Sequence, residues 1–317
     1  MSGLRAAPPG LNAGSAARSP GRAEAGRRAF LRACALDVQV RKPGNVSIAS
    51  PGHRMQAAHF KASAAAAAGP ISSAGARVGE RIEVAVRASW QAARCNTNLG
   101  IVLLCAPLLA AHERCAGDAS ADALREALAQ VLEGLDVEDA RGAFRAIALA
   151  SPGGLGRASE QDVGESPSVD LRAAMALAAH RDRIAWQYLH VYPDVFELGL
   201  PAFTAARSAA QAQGLPAAAA AGRAMQATFL EFVAALPDSH IVRKHGDAVA
   251  QCVISEAAPW RERARCGDVL DDAAGFAAWD EHLKARGLNP GTSADLCVAV
   301  ALAADLATSR AASPRFY

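Results

Sequence analysis

Apolar residues recur at helical spacing along almost the whole of this 317-residue chain, and no segment shows the alternating β-branched residues of a half-buried strand. Aromatic residues make up only 5% of the chain although 51% of it is hydrophobic, because alanine is abundant. Small side chains let helices pack closely. The sequence therefore predicts an all-α fold, a compact multi-helix bundle with helices at about 22–40, 55–68, 76–94, 99–115, 119–132, 137–150, 168–192, 197–212, 217–236, 241–256, 269–286 and 293–309.

A Gly/Pro/Ser-rich segment at residues 151–167 is the clearest interruption of this pattern. Long loops in compact domains are often functional, so the segment either divides two lobes or forms an active-site loop. We expect one all-helical domain over residues 22–317 with this loop inside it. The Ala/Gly/Pro/Arg-rich residues 1–21 lack the apolar block of a secretory signal, and we expect a disordered tail there.

Charge and cysteine content narrow the class of protein. A formal net charge of +2 is too balanced for a nucleic-acid-binding surface. The seven cysteines form no C-x-x-C pair, which is typical of small core residues in a reducing compartment. No apolar run is long enough to span a membrane. We expect a cytoplasmic protein without nucleic-acid or membrane partners. A homodimer stays open, because alanine-rich helices could equally face a partner subunit.

The segment Lys42-Pro43-Gly44-Asn45-Val46-Ser47 places a cation and hydrogen-bonding side chains where a helix must stop. Proline does not continue a helix, and glycine allows a tight turn. Taken alone, the segment is an ordinary helix stop. Four other polar segments at predicted helix ends instead favour a shaped loop for a phosphate-bearing ligand, in a polar pocket formed at helix termini.

The predicted helix at 168–192 carries an acidic residue on its apolar face. Spacings of three and four place on one side the residues Met175, Ala178, Asp182, Ala185 and Leu189. A buried carboxylate needs a cation, a metal or a hydrogen-bond donor. Asp182 is therefore a candidate functional acid, and a salt bridge to Arg181 or Arg183 explains it equally well. Asp194, just beyond, is expected to cap the next helix.

Two further segments lie between predicted helices. Asn96-Thr97-Asn98 supplies three adjacent polar side chains, more than one helix cap needs, at a helix N-terminus that attracts anions. Thr292 followed three residues later by Asp295 resembles a capping box, and that interpretation leaves Asn289 unexplained.

The densest polar run is Asp238-Ser239-His240-Ile241-Val242-Arg243-Lys244-His245-Gly246. Asp238 could cap the following helix, and His240 and Lys244 share one face of it with Arg243 adjacent. A solvated helix start explains the run. The same run also supplies a candidate base and phosphate-binding cations.

Taken together, these segments resemble the triphosphoribosyl-dephospho-CoA synthase family over residues 28–310. The resemblance rests, in the family's order, on Lys42-Pro43-Gly44-Asn45-Val46, Asn96-Thr97-Asn98-Leu99-Gly100, Asp238-Ser239-His240 with Arg243-Lys244-x-Gly246, and Asn289-Pro290-Gly291-Thr292-Ser293-Ala294-Asp295-Leu296. Asp37 stands where the family usually has glutamate. Ser47 replaces the aspartate of the citrate-lyase branch, and the histidine and lysine that this branch has in the second motif are missing. The residues in these motifs are more similar to those of a divergent branch found in archaea and methylotrophic bacteria.

The resemblance implies an all-helical transferase in which the 2′-hydroxyl of dephospho-CoA attacks C1 of the ATP ribose and adenine leaves. An oxocarbenium-like state calls for a carboxylate, a base and an acid. The expected catalytic residues are Asp182, Asp238 and His240, with His240 as the base. The expected nucleotide ligands are Lys42, Asn45, Ser47, Asn96, Asn98, Arg243, Lys244, Asn289 and Thr292. ATP is the expected substrate, and Mg²⁺ is expected on Asp37, Asp182 and Asp238.

Two alternatives remain at this point. One is an ATP- or nucleotide-dependent transfer or ligation step in the biosynthesis of a one-carbon cofactor of the tetrahydromethanopterin or methanofuran type. The other is a non-catalytic helical scaffold, in which the polar segments are caps scattered over the surface. A binding site would instead bring Lys42, Asn96, Asp182, Asp238 and Asn289 together in one pocket.

Overall fold

The structure, a computed structural model, describes residues 20–116, 119–151, 156 and 160–307. These residues form fourteen α-helices and no strand, so the predicted all-α fold is confirmed. The helices are α1 (Pro20–Gln39), α2 (Ala57–Ile71), α3 (Val78–Ala93), α4 (Leu99–Arg114), α5 (Ala121–Glu133), α6 (Val137–Ala150), α7 (Leu171–Ala178), α8 (Arg183–His190), α9 (Leu200–Ala212), α10 (Ala217–Ala235), α11 (Ser239–His245), α12 (Asp247–Arg265), α13 (Ala274–Ala285) and α14 (Gly291–Ala307). A π-helical segment (Asp194–Gly199) precedes α9, and a 3-10 turn (Leu270–Asp272) precedes α13.

Helices α4 and α14 form the centre of the molecule. Both are apolar on nearly all sides, and their buried stretches run from Leu99 to Leu109 and from Leu296 to Ala304. A helix of that kind must be enclosed by others. Helix α14 packs against α1, α4, α9, α10 and the π-helical segment, which places its polar N-terminal turn at the end of the core. None of the described helices is both long and apolar enough to cross a membrane.

A proline inside α4 is compensated from a neighbouring helix. Pro107 has no N–H to donate to the carbonyl of Leu103, four residues earlier. The hydroxyl of Tyr188 in α8 donates to that carbonyl at 2.6 Å, and Tyr188 is fully buried. The hydrogen bond that replaces the missing proline donor therefore joins α8 to α4 at Leu103, which lines the cavity described below.

Glycines let α3 and α6 touch at the backbone. A Cβ at Gly142 would collide with the carbonyl of Gly79, and a Cβ at Gly79 would collide with the backbone of Asp139. The Gly79 N–H also donates to Asp139 Oδ1 at 2.8 Å. This close crossing holds α6, which forms one wall of the cavity.

Several predicted element boundaries are wrong. The helix predicted at 168–192 is divided into α7 and α8, and the one predicted at 241–256 is divided at Gly246, whose φ is +86°. The segment predicted at 269–286 contains the separate 3-10 turn before α13. Residues 1–19 of the predicted tail lie outside the described residues, and residues 20 and 21 begin α1. Of the predicted loop at 151–167, residues 152–155 and 157–159 lie outside them.

Candidate active site

A cavity of about 490 Å³ opens where the N-terminal ends of α4, α8, α11 and α14 meet. Nine of the predicted site residues line it: Asp37, Asn45, Asn96, Asn98, Asp182, His240, Arg243, Asn289 and Thr292. They come from segments up to 255 residues apart in the sequence, from 37 to 292. Scattered helix caps would not meet in this way, and the polar segments instead converge on one cavity.

The first and last motifs are packed against each other. Gly44 has a φ of +82°, and a Cβ there would lie 2.7 Å from the carbonyl oxygen of Leu288. Only glycine fits such a left-handed position at this approach. One residue later, Asn45 Nδ2 donates to Asn289 Oδ1 at 2.9 Å. The two loops therefore present a paired set of amides to the cavity.

An aspartate outside the sequence motifs holds the first loop in place. Asp280 of α13 is fully buried and accepts from the Gly44 N–H at 2.9 Å. Arg41 and Lys284 each lie 2.9 Å from its carboxylate oxygens. Two cations and a backbone donor compensate the buried charge. Asp280 thus fixes the loop without reaching the cavity.

Lys42 occupies a different position from the phosphate site predicted for it. Its side chain is fully buried behind the wall, with Nζ 2.9 Å from Asp37 Oδ1 and 2.5 Å from the carbonyl oxygen of Asp37. Lys42 therefore balances and orients Asp37, which faces the cavity. Ser47 is also buried and does not line the cavity, and its hydroxyl has no hydrogen-bond partner among the described residues.

The Asn96–Asn98 turn is tied to two neighbouring helices. Thr97 Oγ1 donates to Ser63 of α2 at 2.6 Å, and Asn98 Nδ2 donates to Ser89 of α3 at 3.0 Å. Asn96 Oδ1 accepts from the Leu99 N–H at 3.3 Å. Asn98 is the N-cap residue by position, yet its side chain caps nothing. Helix capping alone does not explain the three polar residues.

Asp182 does not lie within an apolar helical stripe, so that interpretation is wrong. It is the N-cap of α8, and its Oδ1 accepts from the N–H groups of Ile184 and Ala185 at 2.9 and 3.1 Å. Its other oxygen lies 3.4 Å from Arg243 Nη1, so neither Arg181 nor Arg183 is its ionic partner. The 3–4 spacing simply continued across the break at 179–182.

Arg183 was a possible ionic partner of Asp182, and Asp194 was expected to cap a helix. These two residues instead pair with each other. Arg183 forms two hydrogen bonds to Asp194, at 2.6 and 2.7 Å, and its guanidinium lies 3.6 Å from the centre of the Trp186 ring. Asp194 also accepts from Gln187 at 2.6 Å. Asp194 is therefore the buried end of an ion pair and caps no helix.

Asp238 joins two helix starts and does not line the cavity. Its Oδ1 accepts from the N–H groups of His240 and Ile241, and its Oδ2 accepts from the N–H and the hydroxyl of Ser293 at 2.7 and 2.8 Å. Four donors occupy both oxygens. In this geometry Asp238 positions α11 and α14, and the catalytic role predicted for it stays a prediction. Lys244 is exposed and lies outside the cavity wall.

His240 lies on the wall as a neutral imidazole. Burial, followed by the positive charges of Lys244 and Arg243, lowers its pKa to about 3. His53 and His245 act in the same direction. The cations around His240 suit an anionic ligand.

Asp295 lines the cavity and does not cap a helix as its spacing predicted. It was expected to close a capping box with Thr292, whereas its carboxyl lies against Gly100 at the start of α4. Part of its surface faces the cavity, and protein atoms enclose the rest. This enclosure, followed by repulsion from Asp37, Asp238 and Asp182, raises its pKa well above the usual range. One available signal was an acid interrupting the long apolar run of α14.

The magnesium site predicted on Asp37, Asp182 and Asp238 is not assembled. Within the described part of the chain, no three His, Cys, Asp or Glu side chains are placed to hold one metal ion. The oxygens of Asp238 are occupied by four donors, Asp37 faces Lys42, and Asp182 caps α8. The arrangement of these three residues therefore does not fit a bound Mg²⁺ ion.

The cavity has a polar and an apolar part. The acidic lining residues are Asp37, Asp182, Asp295, Glu160 and Asp162, and the basic ones are Arg181 and Arg243. Helices α6 and α7 add an apolar wall that includes Phe144, Ile147, Met175 and Leu177. A ligand with a sugar or cationic centre suits the acids, its anionic groups suit Arg243, and an aliphatic or flat aromatic part suits the apolar wall.

Comparisons with known proteins match most of the chain. The model of the family described as ATP:dephospho-CoA triphosphoribosyl transferase matches residues 23–313. The fold is similar to a crystal structure from Archaeoglobus fulgidus described as a triphosphoribosyl-dephospho-CoA synthase, with a TM-score of 0.59 and 22% sequence identity over 78% of this chain and 99% of that chain. No curated protein matches significantly.

Proposed function

Since the chain belongs to the ATP:dephospho-CoA triphosphoribosyl transferase family and is a transferase, we propose that it moves the triphosphoribosyl group of ATP onto the 2′-hydroxyl of 3′-dephospho-CoA. The products are 2′-(5″-triphosphoribosyl)-3′-dephospho-CoA and adenine. The family match over residues 23–313 carries the proposal. The meeting of the motif residues in one cavity supports it.

The reaction breaks the bond between C1 of the ATP ribose and adenine, and positive charge develops on the sugar. A site stabilises such a state with fixed negative charge placed where the positive charge forms. Asp37 and Asp182 would supply it, because both line the cavity and both are held rigidly, one by Lys42 and the other by the α8 N-terminus. We therefore assign the ribose to this acidic part.

The triphosphate would lie toward α11. Arg243 lines the cavity there, and the cations Lys244 and Arg243 add to burial in lowering the pKa of His240. A bound polyanion would offset the part of the shift that comes from neighbouring cations, so binding should raise the pKa of His240. In that state His240 would donate a hydrogen bond to phosphate, rather than act as the predicted base.

The paired amides of Asn45 and Asn289 would hydrogen-bond the nucleoside, together with Asn96 and Asn98 at the start of α4. The apolar wall around Phe144 would cover a part of the ligands that carries no charge. Thr292 remains a predicted ligand contact on the cavity wall. No step is assigned to a metal held by Asp37, Asp182 and Asp238.

The alternative in one-carbon cofactor biosynthesis has no support from either similarity. Ser47, one of the departures from the citrate-lyase branch, also does not line the cavity. The scaffold alternative is set aside by membership of an enzyme family.

The test is turnover of ATP with dephospho-CoA, with products separated by chromatography and identified by mass. Free adenine in equal amount to an acceptor that has gained a triphosphoribosyl group is the expected result. Release of ADP or AMP, or an unchanged acceptor mass, would contradict the proposal. An Asn289→Ala variant should weaken ATP binding, whereas Ser255→Ala, an exposed position in α12, serves as the matched control.

A further inference from the structure

The acids around the cavity differ in how many of their oxygens are already engaged. Asp37 is paired with Lys42, Asp182 caps α8 and meets Arg243, and Asp238 accepts four hydrogen bonds. Among the lining acids that are not exposed, Asp295 is the exception. Among the described residues it has no hydrogen-bond donor and no ion-pair partner, although its carboxyl lines the cavity.

The surroundings of Asp295 disfavour a negative charge. The groups that act electrostatically with it are Asp37 and Cys34 of α1, Lys42, Cys105 of α4, Asp182, Asp238 and Cys297 of α14. Lys42 is the one cation in this set, and it is engaged by Asp37. An enclosed carboxyl beside three other acids keeps its proton, which agrees with its raised pKa.

A second residue of the cavity lining also has an atom without a partner. The Oδ1 atom of Asn45 is buried and accepts no hydrogen bond, although the residue is only 5% exposed. Buried polar atoms are nearly always paired. The Asn45 oxygen lies behind the lining, whereas the unpaired carboxyl of Asp295 is partly open to the cavity, which indicates that a polar atom of a ligand completes the site at Asp295.

We propose that Asp295 is the general acid of the transfer and gives its proton to a ring nitrogen of the departing adenine. This rests on the proposed function. As the bond between C1 and the purine nitrogen breaks, its electron pair goes to adenine, and the proton from Asp295 leaves with the neutral base. The acceptor oxygen bonds to C1, and the proton that it loses restores the carboxyl of Asp295. Atoms and charge therefore balance without a further reactant.

The experiment compares Asp295→Asn with the wild-type protein on two nucleotides. The first is ATP, with dephospho-CoA as acceptor. The second is ATP methylated at N7 of the purine, which carries a permanent positive charge and leaves without being protonated. Asp305→Asn is the matched control, because Asp305 lies in the same helix and pairs with Arg32 at the exposed end. Binding of ATP is measured separately by calorimetry.

We expect Asp295→Asn to lower kcat with ATP by about 10²–10⁴, the range typical of a lost general acid, with ATP still bound. The N7-methylated nucleotide should restore most of that loss. In the wild type, kcat should fall at high pH as Asp295 loses its proton, and this limb should vanish in the variant. Equal losses on both nucleotides, or a variant with wild-type turnover of ATP, would overturn the assignment. If the wild type itself releases no adenine, the proposed function fails and not the assignment alone.

Discussion

The carboxyl group of Asp295 in α14 lies directly against the backbone of Gly100 in the first turn of α4, and a Cβ at position 100 would collide with it. The same Cβ would lie 2.8 Å from Cδ1 of Ile184. Since Ile184 follows the N-cap of α8, three helix ends depend on the absence of a side chain at Gly100. This contact sets the shape of the acidic part of the cavity.

Gly100→Ala should therefore displace Asp295 or separate α4 from α14. We expect kcat/KM for adenine release to fall by up to about a hundredfold, because small misplacements at a reacting centre are costly. Gly69→Ala is the control, since a Cβ there meets nothing within 4 Å. It should keep full turnover and gain about 0.5–1 kcal/mol in free energy of unfolding. Wild-type kinetics for Gly100→Ala would mean that the contact between Asp295 and Gly100 does not position the reacting groups.

A second prediction concerns the tyrosine that compensates Pro107. Tyr188→Phe leaves the buried carbonyl of Leu103 without a donor, which costs about 1–3 kcal/mol. Tyr192→Phe removes a longer bond, 3.2 Å, to the carbonyl of Leu104. Leu108, four residues after Leu104, still has an N–H to donate to it. Urea denaturation should show the larger loss for Tyr188→Phe, and equal losses would contradict this explanation.

Asp238→Asn separates a positioning role from a catalytic one. An amide has one acceptor oxygen and would turn its NH₂ group toward donors at α11 or α14. We expect the free energy of unfolding to fall by about 2 kcal/mol, with a smaller effect on kcat in the protein that remains folded. Unchanged stability together with a loss of kcat of about 10² or more would restore Asp238 to the catalytic residues.

The sequence was sufficient for the parts of the site that follow from local chemistry. Asn96 and Asn289 stand beside helix starts, exceed what capping needs, and both line the cavity. Proline and glycine in the loops fixed where the helices end, so most helix positions were predicted within a few residues.

The remaining errors concern where a side chain points. Lys42 looked like a ligand cation because the sequence does not reveal that its amine turns back to Asp37, five residues earlier. Asp295 matched a capping spacing, yet it turns across to α4. Asp182 was expected within an apolar stripe because spacings of three and four persist by chance across the break between α7 and α8. Local periodicity does not determine such tertiary choices.

His112 provides a test far from the cavity. It is 4% exposed, both of its ring nitrogens lack partners among the described residues, and burial lowers its pKa to about 4, with Arg22 adding to the shift. His112→Leu removes two unpaired polar atoms, and we expect a gain of about 1 kcal/mol at pH 7. The gain should grow as the pH falls from about 6.5 toward 4, because in that range the unfolded histidine binds a proton that the folded one does not.

Urea denaturation at pH 7 and pH 5 measures both effects on His112→Leu. The same substitution at His180, which is exposed, is the control and should leave the difference between the two pH values unchanged. A His112→Leu protein that is less stable than the wild type at both pH values would mean that packing at this site outweighs the unpaired nitrogens.

The raised pKa of Asp295 also predicts an opposite trend of stability with pH. The folded carboxyl holds its proton at pH values where the unfolded one, with a pKa of about 3.9, has lost it. The stability linked to this group is therefore present at acidic pH and is lost as the pH rises toward the folded pKa. Asp295→Asn cannot ionise, so it should be more stable than the wild type at pH 7, and the difference should shrink toward pH 4. Asp305→Asn should show no such trend. Thermal unfolding at pH 4, 5.5 and 7 measures it, and an Asp295→Asn variant that loses stability at pH 7 would mean that Asp295 is held ionised by a partner. A gain in stability together with the loss of turnover would identify Asp295 as a residue kept for chemistry at the expense of the fold.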